Sequence, residues 1–224
     1  MKRFLLFCSV LAEFLPVLLI LIVGGACFAV TLLTASKAHA EEPPRAALKY
    51  RGDLVRSARE AWGLNAPVAA LAAQVQQESG WNPAAVSPVG ARGMTQFMPQ
   101  TATWWCQLNR MTPEACQPTS PVWQLRALAG YDRWLFERVR GPSEFDRLWA
   151  ALRGYNGGLG HWQKEAAIAG GGTMLPELDR ASIDAACGKA RRHVSFCPEN
   201  LGYPRRILIG LQPRYAAWGR EVTP

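Results

Sequence analysis

Gln77-Glu78-Ser79-Gly80-Trp81-Asn82-Pro83-Ala84-Ala85-Val86-Ser87-Pro88-Val89-Gly90-Ala91-Arg92-Gly93-Met94-Thr95-Gln96-Phe97-Met98-Pro99-Gln100-Thr101 is the stretch on which the fold turns. It sets one carboxylate, Glu78, where an apolar helical pattern gives way to a loop punctuated by Gly and Pro. No further Asp or Glu follows until Glu114. Upstream, Val68, Leu71, Ala72 and Val75 recur at helical spacing, and Glu78 follows on the same face. A carboxylate closing an apolar stripe is desolvated, which raises its pKa and keeps its proton near neutral pH. A general acid needs that property. Taken by itself, the same residue also reads as a surface Glu in the last turn of an amphipathic helix.

Working outward, helical signals dominate. Leu54, Val55, Ala58, Ala61 and Trp62 form a stripe that Gly63 can end. Asn65 can cap the helix that leads to Glu78, with Pro67 in its first turn. Gly80, Pro83, Pro88, Gly90, Gly93 and Pro99 preclude one long helix over 80–99, so short extended pieces or turns are expected there. Pro99 to Trp105 restarts a helix. Ser120-Pro121 opens a long one through Leu125, Leu128, Tyr131, Leu135 and Val139, which Gly141-Pro142 ends. Ser143 caps the next, with Phe145, Leu148, Trp149 and Leu152 on its face and its end at Tyr155-Asn156. Gly170-Gly171-Gly172 marks a loop, and a last helix is expected from about Pro204 to Trp218. The pattern contains no internal repeat. The expected fold is mainly α, a single helical domain over 51–224 with a small irregular or β region near 80–98.

Residues 1–40 belong to targeting rather than to the fold. Met1-Lys2-Arg3 is a basic start, Phe14 to Leu33 is an almost unbroken apolar run, and Ala38-His39-Ala40 is a small-x-small cleavage pattern. The run is long for a signal peptide and long enough to span a bilayer, so a cleaved signal and a retained anchor are both open. Residues 41–50, with Glu41-Glu42-Pro43-Pro44, read as a linker.

The chain of 224 residues carries a net charge of +8, and Lys2, Arg3 and Lys37 against Glu13 account for two of those charges. A basic balance suits an anionic partner without naming it. No dense Lys/Arg run or basic-aromatic array supports nucleic-acid binding. Cys106, Cys116, Cys187 and Cys197 lie beyond the targeting segment, and an even count in an oxidising compartment reads as disulfides. Three pairings are available, and the repeated separation of ten residues favours Cys106–Cys116 with Cys187–Cys197. Zinc is disfavoured, because C-x-x-C is missing and His161 and His193 are not at ligand spacing. No metal or cofactor is expected.

Four blocks together resemble the soluble-type lytic transglycosylase (SLT) domain of the goose-type-lysozyme-like superfamily. They are Glu78-Ser79-Gly80-Trp81-Asn82-Pro83, then Ser87 to Pro99, then Gly154-Tyr155-Asn156-Gly157-Gly158, and finally Glu199 to Leu208 with Tyr203 before a basic-aliphatic helix. They occur in the family's order and cover roughly residues 52–210. Met94-Thr95 departs from the family's Leu-Met, which changes a side chain of the cleft. Gly154 replaces an Ala. The stretch from Asn156 to Tyr203 is longer than usual and holds one cysteine pair.

The resemblance implies roles residue by residue. Glu78 would be the catalytic acid, and then the base. Ser79 would contact sugar or orient the acid, and Gln96 would hydrogen-bond substrate. Tyr155 and Asn156 would position the N-acetylmuramic acid ring, Tyr203 would set its hydroxyl near the acid, and Met94 would line the cleft. Trp81, Trp104 and Trp105 could stack on sugars or pack in the core. Glycosidases ordinarily use a second carboxylate as nucleophile or to activate water. Residues 79–113 contain none. The family's solution fits that gap, with the substrate's own 6-hydroxyl attacking to leave a 1,6-anhydro sugar, although distant acids such as Asp146 or Asp184 could still fold into the cleft. The expected protein is therefore an exported, periplasmic enzyme acting on peptidoglycan glycan strands. It would touch membrane only through its N-terminal segment, and its architecture also resembles the wall-opening enzymes that accompany conjugation or secretion machines. A lysozyme-type hydrolase and a non-catalytic peptidoglycan-binding module are the competing expectations.

Overall fold

Helices account for most of the regular structure in the computed structural model, which describes residues 41–173, 178–190 and 193–224. The expected export segment lies outside the described residues. In chain order the helices are α1 (Arg45–Leu48), α2 (Arg51–Trp62), α3 (Val68–Ser79), α4 (Pro99–Leu108), α5 (Pro121–Phe136), α6 (Glu144–Gly157), α7 (Leu159–Ala169), α8 (Arg180–Asp184) and α9 (Cys197–Arg205). A 3₁₀ turn, Val194–Phe196, precedes α9, and the chain closes through a π-helical segment, Arg206–Leu211, and a 3₁₀ segment, Gln212–Trp218. No helix among the described residues is long and apolar enough to cross a membrane.

The helix that ends at Glu78 lies at the centre. Every residue of α3 from Val68 to Val75 is buried, not only the stripe expected from spacing. Its alanines make this feasible, since small side chains let neighbouring helices approach on all sides. The π and 3₁₀ segments at the C-terminus pack against it, α2 packs on α5, and α6 packs against α5, α7 and α9. Leu71, Leu125, Leu128, Leu135, Leu152 and Ile207 are almost wholly enclosed. Each such side chain contributes roughly 2 kcal/mol of apolar burial.

Local signals mostly fall where the spacing sets them. Gly63 ends α2 at φ 79°, Pro99 and Pro121 stand in the first turns of α4 and α5, and the Ser143 side chain accepts from the Asp146 N–H at the start of α6. Between α3 and α4 the backbone forms turns and two isolated antiparallel bridges, Val86 with Arg92 and Arg92 with Phe97. This is the small irregular region beside an otherwise helical domain.

Three boundaries differ from the expectation. Pro67, not Asn65, precedes the first turn of α3. The expected linker 41–50 contains α1, and Ala47 and Tyr50 join the core, with Tyr50 stacked parallel to Trp81 at 6.4 Å. Pro44, fixed in an extended conformation, starts that short helix. Finally, the last helix begins at Cys197 and carries Pro204 inside it. A proline there removes one backbone donor and crowds the preceding turn, and the helix widens into the π segment directly after it.

Both disulfides follow the local pairing, Cys106–Cys116 and Cys187–Cys197. The second ties Cys187, just past the end of α8, to the first residue of α9. Behind it, Arg153 of α6 is buried, with ion pairs to Glu165 of α7 and Asp184 of α8 and a 3.0 Å bond to Asn200 of α9. One guanidinium thus joins four helices.

Candidate active site

Glu78 sits in the last turn of α3, and Gly80 stops that helix in the left-handed conformation at φ 61°. Trp81 follows at φ 70°, a costly conformation for a bulky residue. Burial compensates for it: Trp81 is enclosed, and its indole N–H donates to Tyr215 at 2.8 Å. The chain therefore leaves the helix at a fixed angle, with Glu78 facing a cavity of about 770 Å³. Ser87, Val89, Gln96, Phe97, Met98, Thr101, Tyr131, Tyr155, Asn156 and Glu199 also line it.

Burial pushes the Glu78 carboxyl up from an ordinary 4.5 to about 7, against the opposing pull of a hydrogen bond from the Tyr203 hydroxyl to its Oε1, while nearby Glu199 adds to the rise. The carboxyl is thus balanced between donor and acceptor forms near neutrality, which suits it to give and then take a proton. Tyr203 reaches it from α9. Tyr155, from the end of α6, stacks parallel to Tyr203 at 6.5 Å and donates to the Thr95 carbonyl at 2.6 Å. Burial first, and the Glu78 carboxylate second, push both phenols well above the ordinary tyrosine range, so they act as hydroxyl donors. Asn156 is exposed at the cavity, and its Oδ1 accepts from Asn200 at 3.0 Å. Asn200 is in turn bonded to buried Arg153, so the helix-joining cluster also orients Asn156.

The loop between α3 and α4 divides its expected residues into two groups. Gln96 lines the cavity at φ 48°, with its amide nitrogen donating to the Gly93 carbonyl at 2.8 Å. Its amide oxygen is the atom left to meet a ligand. Ser79 turns instead to the loop, where its hydroxyl donates to the Met94 carbonyl at 2.9 Å and accepts from the Asn82 N–H. Met94 has no exposed surface; it is a core residue beneath the loop rather than a cleft wall. Its backbone N–H is held by Gln124 at 2.8 Å. Met98, by contrast, is exposed at the cavity.

Three further residues at or near the site were given no role by the sequence, although Ser87 and Glu199 open two of its motif blocks. Ser87 lines the cavity, with its oxygen accepting from the Ala91 N–H and its own hydrogen left for a ligand. Glu199 brings a second carboxylate to the cavity from α9, paired with Arg206 at 2.6 Å. Asp132 of α5 is fully enclosed, with one oxygen accepting from Gln74 at 3.3 Å and the other unpartnered. Burial holds it well above the usual carboxylate range. Asp146 and Asp184 are engaged elsewhere, Asp146 with Arg180 and Asp184 with Arg153. Among the described residues no three His, Cys, Asp or Glu side chains gather as metal ligands would.

A family model described as the transglycosylase SLT domain matches residues 54–173. The membrane-bound lytic murein transglycosylase F of Pasteurella multocida is 39% identical over 114 residues, 50% of this chain and 19% of that protein. Its counterpart in Aliivibrio fischeri is 40% identical over 92 residues, 41% of this chain and 17% of the relative. The chain thus spans about a fifth of the length of the curated relatives it matches. The lytic transglycosylase Slt of Pseudomonas aeruginosa shares the fold, with a TM-score of 0.57 at 20% identity over 80% of this chain and 26% of that one. Tyr203, Glu199 and Asn200 lie beyond the family-matched residues, and α9 brings them to the site.

Proposed function

The chain belongs to the transglycosylase SLT domain family, and from that premise we propose that it cleaves the β-1,4 bond between N-acetylmuramic acid and N-acetylglucosamine in peptidoglycan by lytic transglycosylation. The observation that carries this reading is the Glu78 carboxyl, held at about 7 and hydrogen-bonded by Tyr203 at the edge of a glycan-sized cavity. Protonated Glu78 donates to the bridging oxygen as the bond from the muramic acid C1 breaks. The substrate's acetamido group shares the positive charge at C1. Glu78, now ionised, takes the proton of the same sugar's 6-hydroxyl, whose oxygen closes on C1. The products are a 1,6-anhydromuramoyl end and a free 4-hydroxyl, with no water consumed. Gln96, Asn156 and Tyr155 would hold the sugar, and Ser87 would add a hydroxyl donor.

Glu199 motivates a second reading. A carboxylate at the same cavity could activate water and make the protein a lysozyme-type hydrolase. Its ion pair with Arg206 favours the first reading, since that contact turns the carboxylate toward the guanidinium rather than toward a water at the sugar. Mass analysis of digested sacculi separates the two. Anhydro muropeptides are expected; mainly reducing, hydrated ends would overturn the transglycosylase reading. Sacculus binding by the parent protein without any turnover would identify a binding module instead. We further propose export to the periplasm on residues 1–40 and service beside a conjugation or secretion machine. N-terminal sequencing of the envelope-fractionated protein and the neighbouring genes test these.

A further inference from the structure

Thr101 and Tyr131 form part of the wall of the cavity at Glu78. The same two side chains begin a second, open cavity of about 320 Å³, whose other walls are Gln100, Trp104, Trp134 and Leu159. Trp81 and Trp105 pack in the core, but Trp104 keeps 36% of its surface exposed. Its neighbours fix it there: Trp134 at 5.2 Å and Tyr131 at 5.9 Å both meet it near perpendicular. Trp134 is itself covered by the Arg138 guanidinium, 4.0 Å from its ring centre, and so acts as the buttress while Trp104 offers free ring surface. Gln100 is exposed and Thr101 half-buried, and neither side chain hydrogen-bonds another described residue.

A rigid exposed indole beside an uncommitted amide and hydroxyl, with no charged residue in the lining, is complementary to one class of ligand in particular. A pyranose ring offers an apolar C–H face to the indole and equatorial hydroxyl or acetamido groups to the polar side chains. We propose that Trp104, with Gln100 and Thr101, forms an outlying sugar subsite that takes a more distant residue of the glycan strand bound at Glu78. This rests on the glycan reading of the Glu78 cleft. Its consequence is length selectivity: a strand long enough to reach Trp104 binds more tightly than a shorter one that fills only the space around Glu78.

The test uses full-length protein carrying Glu78→Gln, to prevent turnover, titrated calorimetrically with the tri- and hexasaccharide of N-acetylglucosamine. Adding Trp104→Ala should remove about tenfold of hexasaccharide affinity, while the trisaccharide changes less than about twofold. Trp104→Phe, which keeps a ring, should retain most of the gain, and Gln100→Ala, which leaves the aromatic cluster intact, should lose about threefold. If the gain from trisaccharide to hexasaccharide survives Trp104→Ala and Gln100→Ala unchanged, the subsite does not exist. Equal weakening of both ligands would also overturn it, marking Trp104 as structural support. If the Glu78→Gln protein binds neither oligosaccharide, the glycan reading of the cleft falls first and the subsite with it.

Discussion

Glu78 and Tyr203 set opposite tendencies at one carboxyl. Enclosure favours the neutral acid, and the phenol's hydrogen bond favours the anion, with the balance at about 7. Activity that begins with proton donation should fall as pH rises through about 7, visible as the alkaline limb of kcat/KM. Tyr203→Phe removes the stabilisation of the anion, so that limb should move to higher pH; a downward move would contradict the assignment. Glu78→Gln should lower turnover on the order of a thousandfold. It should also act on stability. The folded protein keeps this proton up to about 7, whereas the unfolded chain releases it near 4.5, so stability declines between those values by on the order of 3 kcal/mol in all. Glu78→Gln lacks that decline. Its Tm should gain on the parent's as pH rises from 4.5 to above 7, and parallel curves would count against a buried acid.

At the scale of elements, the loop between α3 and α4 is held by a glutamine from α5. The Gln124 side chain bonds the Met94 N–H and the Pro118 carbonyl, both at 2.8 Å, and lies where a side chain at Gly93 would stand. Gly93 is also at φ 76°. Gly93→Ala should therefore cost about 2 kcal/mol or more and lower kcat/KM with it, because Gln96 is bonded to the Gly93 carbonyl. Chemical denaturation and kinetics of one preparation would show both. The buried Arg153 is the second such device. Arg153→Met strands Glu165 without its cation and should cost about 3–5 kcal/mol in the same denaturation measurement. These local rules were partly legible in the sequence. Glycine and proline spacing located the loop, and the apolar stripe located Glu78. Met94 and Ser79 show the limit, since their burial and bonding depend on Gln124 and on the loop's return against α3, which no local spacing encodes.

For the molecule as a whole, two disulfides of equal separation invite a comparison. Each closes a loop of ten residues' separation and should contribute about 2–3 kcal/mol. Only Cys187–Cys197 anchors the helix that delivers Glu199, Asn200 and Tyr203 to the cleft. Replacing that pair by serines should lower kcat/KM about ten- to hundredfold beyond its effect on stability, whereas replacing Cys106 and Cys116 should mainly lower Tm. Equal activity losses would deny α9 its special place. By itself, the sequence determined the helical class, the apolar face that ends in Glu78 and the punctuated loop, because each is set by neighbours within a few residues, while the equal cysteine spacing only favoured the local pairs. Only the tertiary structure decided that Glu199 joins the cavity, that Asp132 is fully enclosed and that Trp104 stays open while Trp81 and Trp105 pack in the core. Desolvation and side-chain convergence depend on what packs across distant parts of the chain, and the same enclosure that raises the Glu78 pKa exists only once α9 has closed against α3 and α6.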